Sequence, residues 1–403
     1  MGDIGVDRVE LLSTYIFNCA RSRTRKLSQE NDAESEASSI VSACRELESL
    51  LSPPEDWIGR VAGSYNNGVA LCMVLDLEIL KILSEQELTS LEKLVQISGA
   101  SPSLLRGVMT QCVHSKIFDE PLPAQYKLNS HSIRLLVPNF ASWIHYLVDD
   151  GFQMASRIPG YASKNKFQIP NDRHETAFRM AFQTNKPFYQ YYHTVDKARG
   201  NRFDSAMERY FHRSTQTPIE DFFEFGKLPP AARVVDVGGG RGHHSIRLAS
   251  QYPQLSFINQ DLGKKDPTLK ETMDKSILKR VTWQEHDFFQ EQPVQGASVY
   301  MLSHILMDNT DSDGCKILQN VFTAMTPNES ILLIDDFLDP GKEGTLPLKA
   351  NTLNLHLIAA FGRPFRTMEE WVHLFVRVSP SLRIISTSVV GNGRVVFKLL
   401  REG

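Results

Sequence analysis

Cysteine is scarce in this chain and falls into no pattern. Cys19, Cys44, Cys72, Cys112 and Cys315 show no C-x-x-C spacing and no paired histidines nearby. That argues against a disulfide frame or a zinc module and for free thiols in a reducing compartment, and no metal is expected. No apolar run reaches the length of a membrane span, and the N-terminus lacks a signal peptide's basic-then-apolar order. The expectation is a cytoplasmic protein with no membrane partner. Basic charge is also missing: the formal net charge is -3, with no stripe of Lys and Arg to neutralise phosphates, so nucleic acid is not an expected partner. A length of 403 residues and a hydrophobic fraction of 41% allow two or three domains with ordinary cores.

One stretch organises the rest. The β-branched Val234 and Val235 lead into Asp236-Val237-Gly238-Gly239-Gly240-Arg241-Gly242, then a helical segment, a strand from Leu255 to Asn259, and Gln260-Asp261. This reads as strand, glycine turn, helix, strand. Side chains at the glycines would block a ligand's approach to backbone N–H groups at a helix N-terminus. Asp261 stands where a nucleoside-binding α/β unit puts the carboxylate that takes the ribose hydroxyls. The leading acid and the D-x-G-x-G-x-G spacing depart from the dinucleotide fingerprint G-x-G-x-x-G. They resemble the S-adenosylmethionine (SAM) site of class I methyltransferases, whose cofactor brings no pyrophosphate. Asp236, Gly238, Gly240 and Asp261 are therefore the expected cofactor residues, for SAM or S-adenosylhomocysteine.

Ahead of this unit, residues 1 to about 24 have the pattern of an amphipathic helix, and Ser28 to Ser39 is a polar, acidic linker or helix start. Apolar residues at helical spacing run from Val61 to Leu83. Thr89-Ser90-Leu91-Glu92 reads as a capping box, Gly99 as a stop, and Ser101-Pro102 as the start of another helix. Phe118 to Leu136 has the look of a small wing. Helix-turn-helix plus wing raises DNA binding, but the second helix offers Arg106 and little other charge. The segment from 140 to 225 is rich in aromatics, with His145, His193, Arg209 and His212 interleaved. At the far end, Ile384 to Val390, Gly391-Asn392-Gly393 and Val395 to Leu399 read as a hairpin.

This order resembles the small-molecule O-methyltransferase family of plants and fungi, over roughly Ser39 to Lys398. Family-like elements are Thr176-Ala177-Phe178, Lys186-Pro187-Phe188-Tyr189 and Phe203-Asp204-Ser205-Ala206-Met207. The resemblance implies an α/β fold: a Rossmann-like doubly wound sheet with an antiparallel C-terminal edge, preceded by a winged-helix domain that forms an intertwined homodimer. The expected units are an N-terminal extension 1–38, a dimerisation domain 39–140, a helical connector 141–225 and a SAM domain 226–403. It also implies adenine contacts from Asp287 and Phe288, and a substrate pocket drawn from Phe203, Met207, Tyr210, His356 and Phe361.

Methylating a phenol at neutral pH needs a base, because an unperturbed phenol has a pKa of about 10. The family uses the histidine of a His-Asp-Trp element; here the residues are Met307-Asp308-Asn309, and a thioether takes no proton at ordinary pH. Phe365-Arg366-Thr367 stands for the family's Glu-Arg-Thr, so one orienting carboxylate is missing, while Asp335 lies near the place of the other. Four readings remain open. They are a methyltransferase with its base moved to His304, His145 or His356, a pericyclase, a non-catalytic partner of a methyltransferase, and a DNA-binding regulator. The resemblance to a fungal pericyclase subgroup favours the second: dehydration of a pyridone alcohol to a quinone methide, then hetero-Diels-Alder or Alder-ene cyclisation of a small hydrophobic polyketide substrate. Such a step needs shape and a polarised carbonyl more than a strong base. His145, Arg209, Asp308, Met307 and His131 are the expected catalytic residues on that reading.

Overall fold

Burial of Val234, Val235, Asp236 and Val237 in unbroken succession makes Arg233–Val237 a strand covered on both faces, as central parallel strands are. The computed structural model describes residues 3–28, 34–169, 175–213, 218–262, 274–391 and 393–403, with the side chains of 3–6, 28, 34 and 208–213 outside that description. The strands in chain order are β1 (Thr89–Ser90), β2 (Phe118–Leu122), β3 (Gln125–Leu128), β4 (Arg233–Val237), β5 (Ser256–Asp261), β6 (Val281–Glu285), β7 (Val299–Ser303), β8 (Ile331–Asp339), β9 (Arg366–Thr367), β10 (Leu382–Val389) and β11 (Arg394–Arg401).

The large sheet has the order β10-β11-β8-β7-β4-β5-β6, with β9 pairing the end of β8. Strands β8 through β6 are parallel, and β11 and β10 add an antiparallel edge. This is the expected doubly wound sheet with its antiparallel edge. Strand order reverses at β4, so the carboxyl ends of β4, β5 and β7 open a crevice. Below it, Val235, Tyr300, Leu302, Trp371 and Phe397 join one apolar core.

The N-terminal region is helical, with β1, β3 and β2 forming a small antiparallel sheet. Two long helices, Asp3–Ser28 and Glu34–Leu51, pack on each other and leave Leu11, Phe17 and Leu51 exposed. Local structure departs from expectation at two points. The cap of helix Leu91–Ser98 is Ser90, which accepts from the Lys93 backbone, so the capping pattern is shifted by one residue from Thr89. The apolar period from 61 to 83 is cut into separate helices, with Glu78 left-handed at φ 51°. Asn392, placed in the C-terminal turn, lies outside the described residues, while Gly393 has φ 85° and β10–β11 pair as a hairpin.

Candidate active site at the carboxyl edge of the sheet

The turn after β4 carries three left-handed glycines, Gly238 (φ 71°), Gly240 (φ 55°) and Gly242 (φ 82°). A Cβ on Gly239 would lie 2.1 Å from Asn259 Oδ1, and one on Gly238 would lie 2.5 Å from Ile305 Cδ1. A Cβ on Gly240 would meet nothing within 4 Å, so the turn is tight beneath and open above. Asp261 Oδ2 accepts the Gly240 N–H at 2.9 Å, and Asn259 Nδ2 donates to the Gly240 carbonyl. Asp236, held by the Ser245 hydroxyl at 3.0 Å, is pushed up to about 7 by burial, with the charge of Asp261 adding. Asp287 caps the next turn by accepting the Phe289 N–H, and Phe288 packs toward Gly238. An open glycine cradle flanked by carboxylates fits a cationic nucleoside such as SAM, with Asp261 for hydroxyls and backbone N–H groups for the carboxylate end.

The segment after β7 holds the chemistry. Both Asp335 and Asp336 lie inside β8, which runs on to Asp339, so they face opposite sides of the sheet. Asp335 pairs twice with Arg394, at 2.6 and 2.8 Å, and accepts from Ser303; the charge of His304 and then these bonds hold it below the usual carboxylate range despite burial. Asp336 instead turns to residue 307: its Oδ2 accepts the Met307 backbone N–H at 3.0 Å. The acid beside the family's base position is therefore Asp336, and the expectation for Asp335 is corrected by strand parity. Burial raises Asp336 to about 7. Met307 is 7% exposed and packs with Phe337, Leu357 and Phe365 as part of an apolar wall. Arg366, itself buried, donates to the Leu306 and Asn309 carbonyls and to Asp311, fixing this segment.

Among the described residues, Asp308 is the acid of the segment that meets the connector. Tyr189 donates to its Oδ2 at 2.5 Å, and burial raises it to about 8. Tyr189 keeps 43% of its surface accessible although it sits deep among protein atoms, the combination that marks a cleft wall. Its ring stacks on Phe361 at 5.8 Å and lies 6.0 Å from Phe203. On the next side, Tyr146 hydroxyl and His356 Nε2 are 2.7 Å apart, and burial lowers His356 to about 4, so that ring is neutral at pH 7. Met207 packs against the same aromatic cluster.

Of the residues singled out from sequence, the structure brings Asp308, Met307, Phe203, Met207, His356 and Phe361 to one cleft beside the glycine turn, Asp236, Asp261, Asp287 and Phe288. It does not bring His145 there. That ring leaves the other face of its helix and meets Asp76 at 3.0 Å, near Cys72 and Arg202. The residue that faces the cleft is the next one, Tyr146. His131 is exposed on the N-terminal region, its Nδ1 at 2.8 Å from the Lys116 carbonyl. His304 stacks on Phe337 and lies near Asp335 and Arg394, with burial lowering its basicity. The side chains of Arg209 and Tyr210 lie outside the described residues. Sequence reading missed Tyr189 as a partner of Asp308, and it missed the clamp in which Arg199 and Arg202 bond Asp149 and Asp150 at 2.5 to 2.7 Å. The signal for the clamp was present as paired acids facing arginines three residues apart; the clamp holds the helix bearing Phe203 and Met207 against the site.

A mixed sheet of this order, a glycine cradle at its carboxyl edge and a helical N-terminal region define a class I methyltransferase fold. A family model described as an O-methyltransferase domain matches residues 167–378. The chain belongs to that family. The N-methyltransferase nanE of Aspergillus nanangensis is 43% identical over 396 residues, 98% of this chain and 98% of its own. A structure of LepI in complex with SAM superposes with a TM-score of 0.78 at 24% identity, covering 96% of this chain and 99% of that one. A structure described as a pericyclic reaction enzyme covers the same shares, with a TM-score of 0.78 at 24% identity.

Proposed function

We propose that this protein is a SAM-dependent methyltransferase of small aromatic metabolites in which Asp308 takes the proton that the family gives to histidine. The observation that carries the reading is the Tyr189–Asp308 pair, a carboxylate raised to about 8 and set in the cleft beside residue 307. Residues 238–242, Asp261, Asp287 and Phe288 hold SAM or its demethylated product. Bound there, the group supplies an electrophilic methyl. The chain's part is to seat a flat acceptor against Phe203, Met207 and Phe361 and to hold its released proton on Asp308. The 43% identity to an enzyme named as an N-methyltransferase supports nitrogen as well as oxygen among the acceptors. Incubation with labelled SAM and a panel of phenols and amines tests this: label in an acceptor, lost in Asp308→Asn and kept in Met307→Leu, is expected. No transfer to any acceptor counts against it.

One observation favours a second reading, the pericyclase. Met307 lies in an apolar wall with Phe337 and Phe365, and the neutral Tyr146–His356 pair offers hydrogen bonding without a strong base. Dehydration of a pyridone alcohol followed by hetero-Diels-Alder or Alder-ene closure would then be accelerated in a polyketide-derived substrate. An unchanged product distribution with and without enzyme counts against that reading. The exposed apolar face of the N-terminal helices supports a homodimer through the region 39–140 and its extension, with the connector 141–225 and SAM domain 226–403 as further units; light scattering showing a monomer would remove it.

A further inference from the structure

We propose that the cleft at Tyr189 and Asp308 selects acceptors that arrive as organic cations, basic amines in preference to neutral phenols or amides. This deepens the methyl-transfer reading and rests on it. Four aromatic rings, those of Tyr146, Tyr189, Phe203 and Phe361, come from separate helices to one place, with Tyr146–Phe203 at 5.2 Å and Tyr189–Phe361 at 5.8 Å. A ring face carries partial negative charge, and several around one space attract a cation that has shed its water. The carboxyl group of Asp308 accepts from the Tyr189 hydroxyl beside these rings.

Among the described residues no cation pairs with this acid. Among the described residues its one hydrogen bond comes from Tyr189, and the nearest charged neighbour acting on it is another acid, Asp336. His356, across the cleft, stays neutral at pH 7 and adds no positive charge. Burial keeps Asp308 protonated at neutral pH, and a bound ammonium would favour its ionised form. The chemistry on the chain balances simply. An R2NH2+ group gives its proton to the Asp308 carboxylate, leaving a neutral amine with its lone pair and a neutral carboxylic acid.

The test compares two isosteric probes by calorimetry on the full-length protein with saturating S-adenosylhomocysteine in the cofactor cradle. One is benzyltrimethylammonium; the other is its neutral analogue with carbon in place of nitrogen. The cation is expected to bind about tenfold more tightly. Asp308→Asn should abolish that preference while leaving the affinity of the neutral probe unchanged, and Asp308→Glu should restore part of it. The neutral probe also reports whether Asp308→Asn has kept its fold. Equal or tighter binding of the neutral probe overturns the proposal. If labelled SAM then still methylates phenols, the methyl-transfer reading stands without it; if S-adenosylhomocysteine itself does not bind, that reading has fallen instead.

Discussion

The Tyr189 hydroxyl donates to Asp308 Oδ2 at 2.5 Å across a sequence separation of 119 residues, tying the aromatic connector to the segment after β7. The bond favours the ionised carboxylate, while burial, the larger influence, favours the protonated form and wins, raising Asp308 to about 8.

Turnover should follow that balance. A group that must be ionised to accept a proton gives a kcat that rises with pH through its pKa, here near 8. Tyr189→Phe removes the bond that favours ionisation, so the midpoint should move to higher pH. Asp308→Asn should lower kcat by roughly 10² or more with little change in affinity for SAM. A pH–rate profile for the three proteins checks both, and an unmoved midpoint in Tyr189→Phe would assign the ionisation elsewhere.

The two central glycines should separate stability from binding. A Cβ at Gly239 would meet Asn259 Oδ1 at 2.1 Å and Asp236 Cγ at 2.6 Å, so Gly239→Ala should cost about 1–3 kcal/mol of stability as overpacking does. At Gly240 the space is open and only the left-handed backbone resists, so Gly240→Ala should cost ~1 kcal/mol and show its larger effect on cofactor affinity. Denaturant melts paired with calorimetry distinguish the two.

Asp261→Ala removes both a carboxylate at the nucleoside position and the acceptor of the Gly240 N–H. S-adenosylhomocysteine binding should weaken by about tenfold or more. Full affinity in the variant would place the nucleoside away from the end of β5.

Asp335 and Asp336 should respond to pH in opposite senses. Asp335 is held below its unfolded value, so its contribution is present above the unfolded pKa and is lost as pH falls through the lower folded value. Asp336 is raised to about 7 from an ordinary 3.8, so the fold loses stability from it as pH rises between those values. Asp336→Asn should therefore be stabilising at pH 8 relative to its effect at pH 5, by on the order of a few kcal/mol. Asp335→Asn should destabilise at both, by about 3–5 kcal/mol, because buried Arg394 loses the carboxylate it pairs with. Thermal melts at the two pH values test the pair.

The glycine turn, the strand before it and Asp261 were legible because each is a local requirement of backbone geometry. The sheet class was legible for the same reason, from apolar strands alternating with helices. What one-dimensional pattern could not supply was direction. His145 and Tyr146 are neighbours in a helix, and only packing decides that the tyrosine enters the cleft while the histidine meets Asp76. Likewise Asp335 and Asp336 differ by one step of a two-residue period, and that step sends one to Arg394 and the other to Met307. Tyr189 stood in a run of aromatics with nothing local to mark it; its partner is distant in sequence.

The opposed facing of Asp335 and Asp336 sets a length rule on the chain. From Ile331, where β8 enters its pairing with β7, to Asp336 the count of residues fixes which acid is delivered to which side. One residue inserted there would deliver Asp335 to the place beside the Met307 N–H and take the carboxylate away from Arg394. Insertions in that span should be lethal to folding and chemistry alike, whereas the turn beyond Asp339, which ends the strand, is free to lengthen.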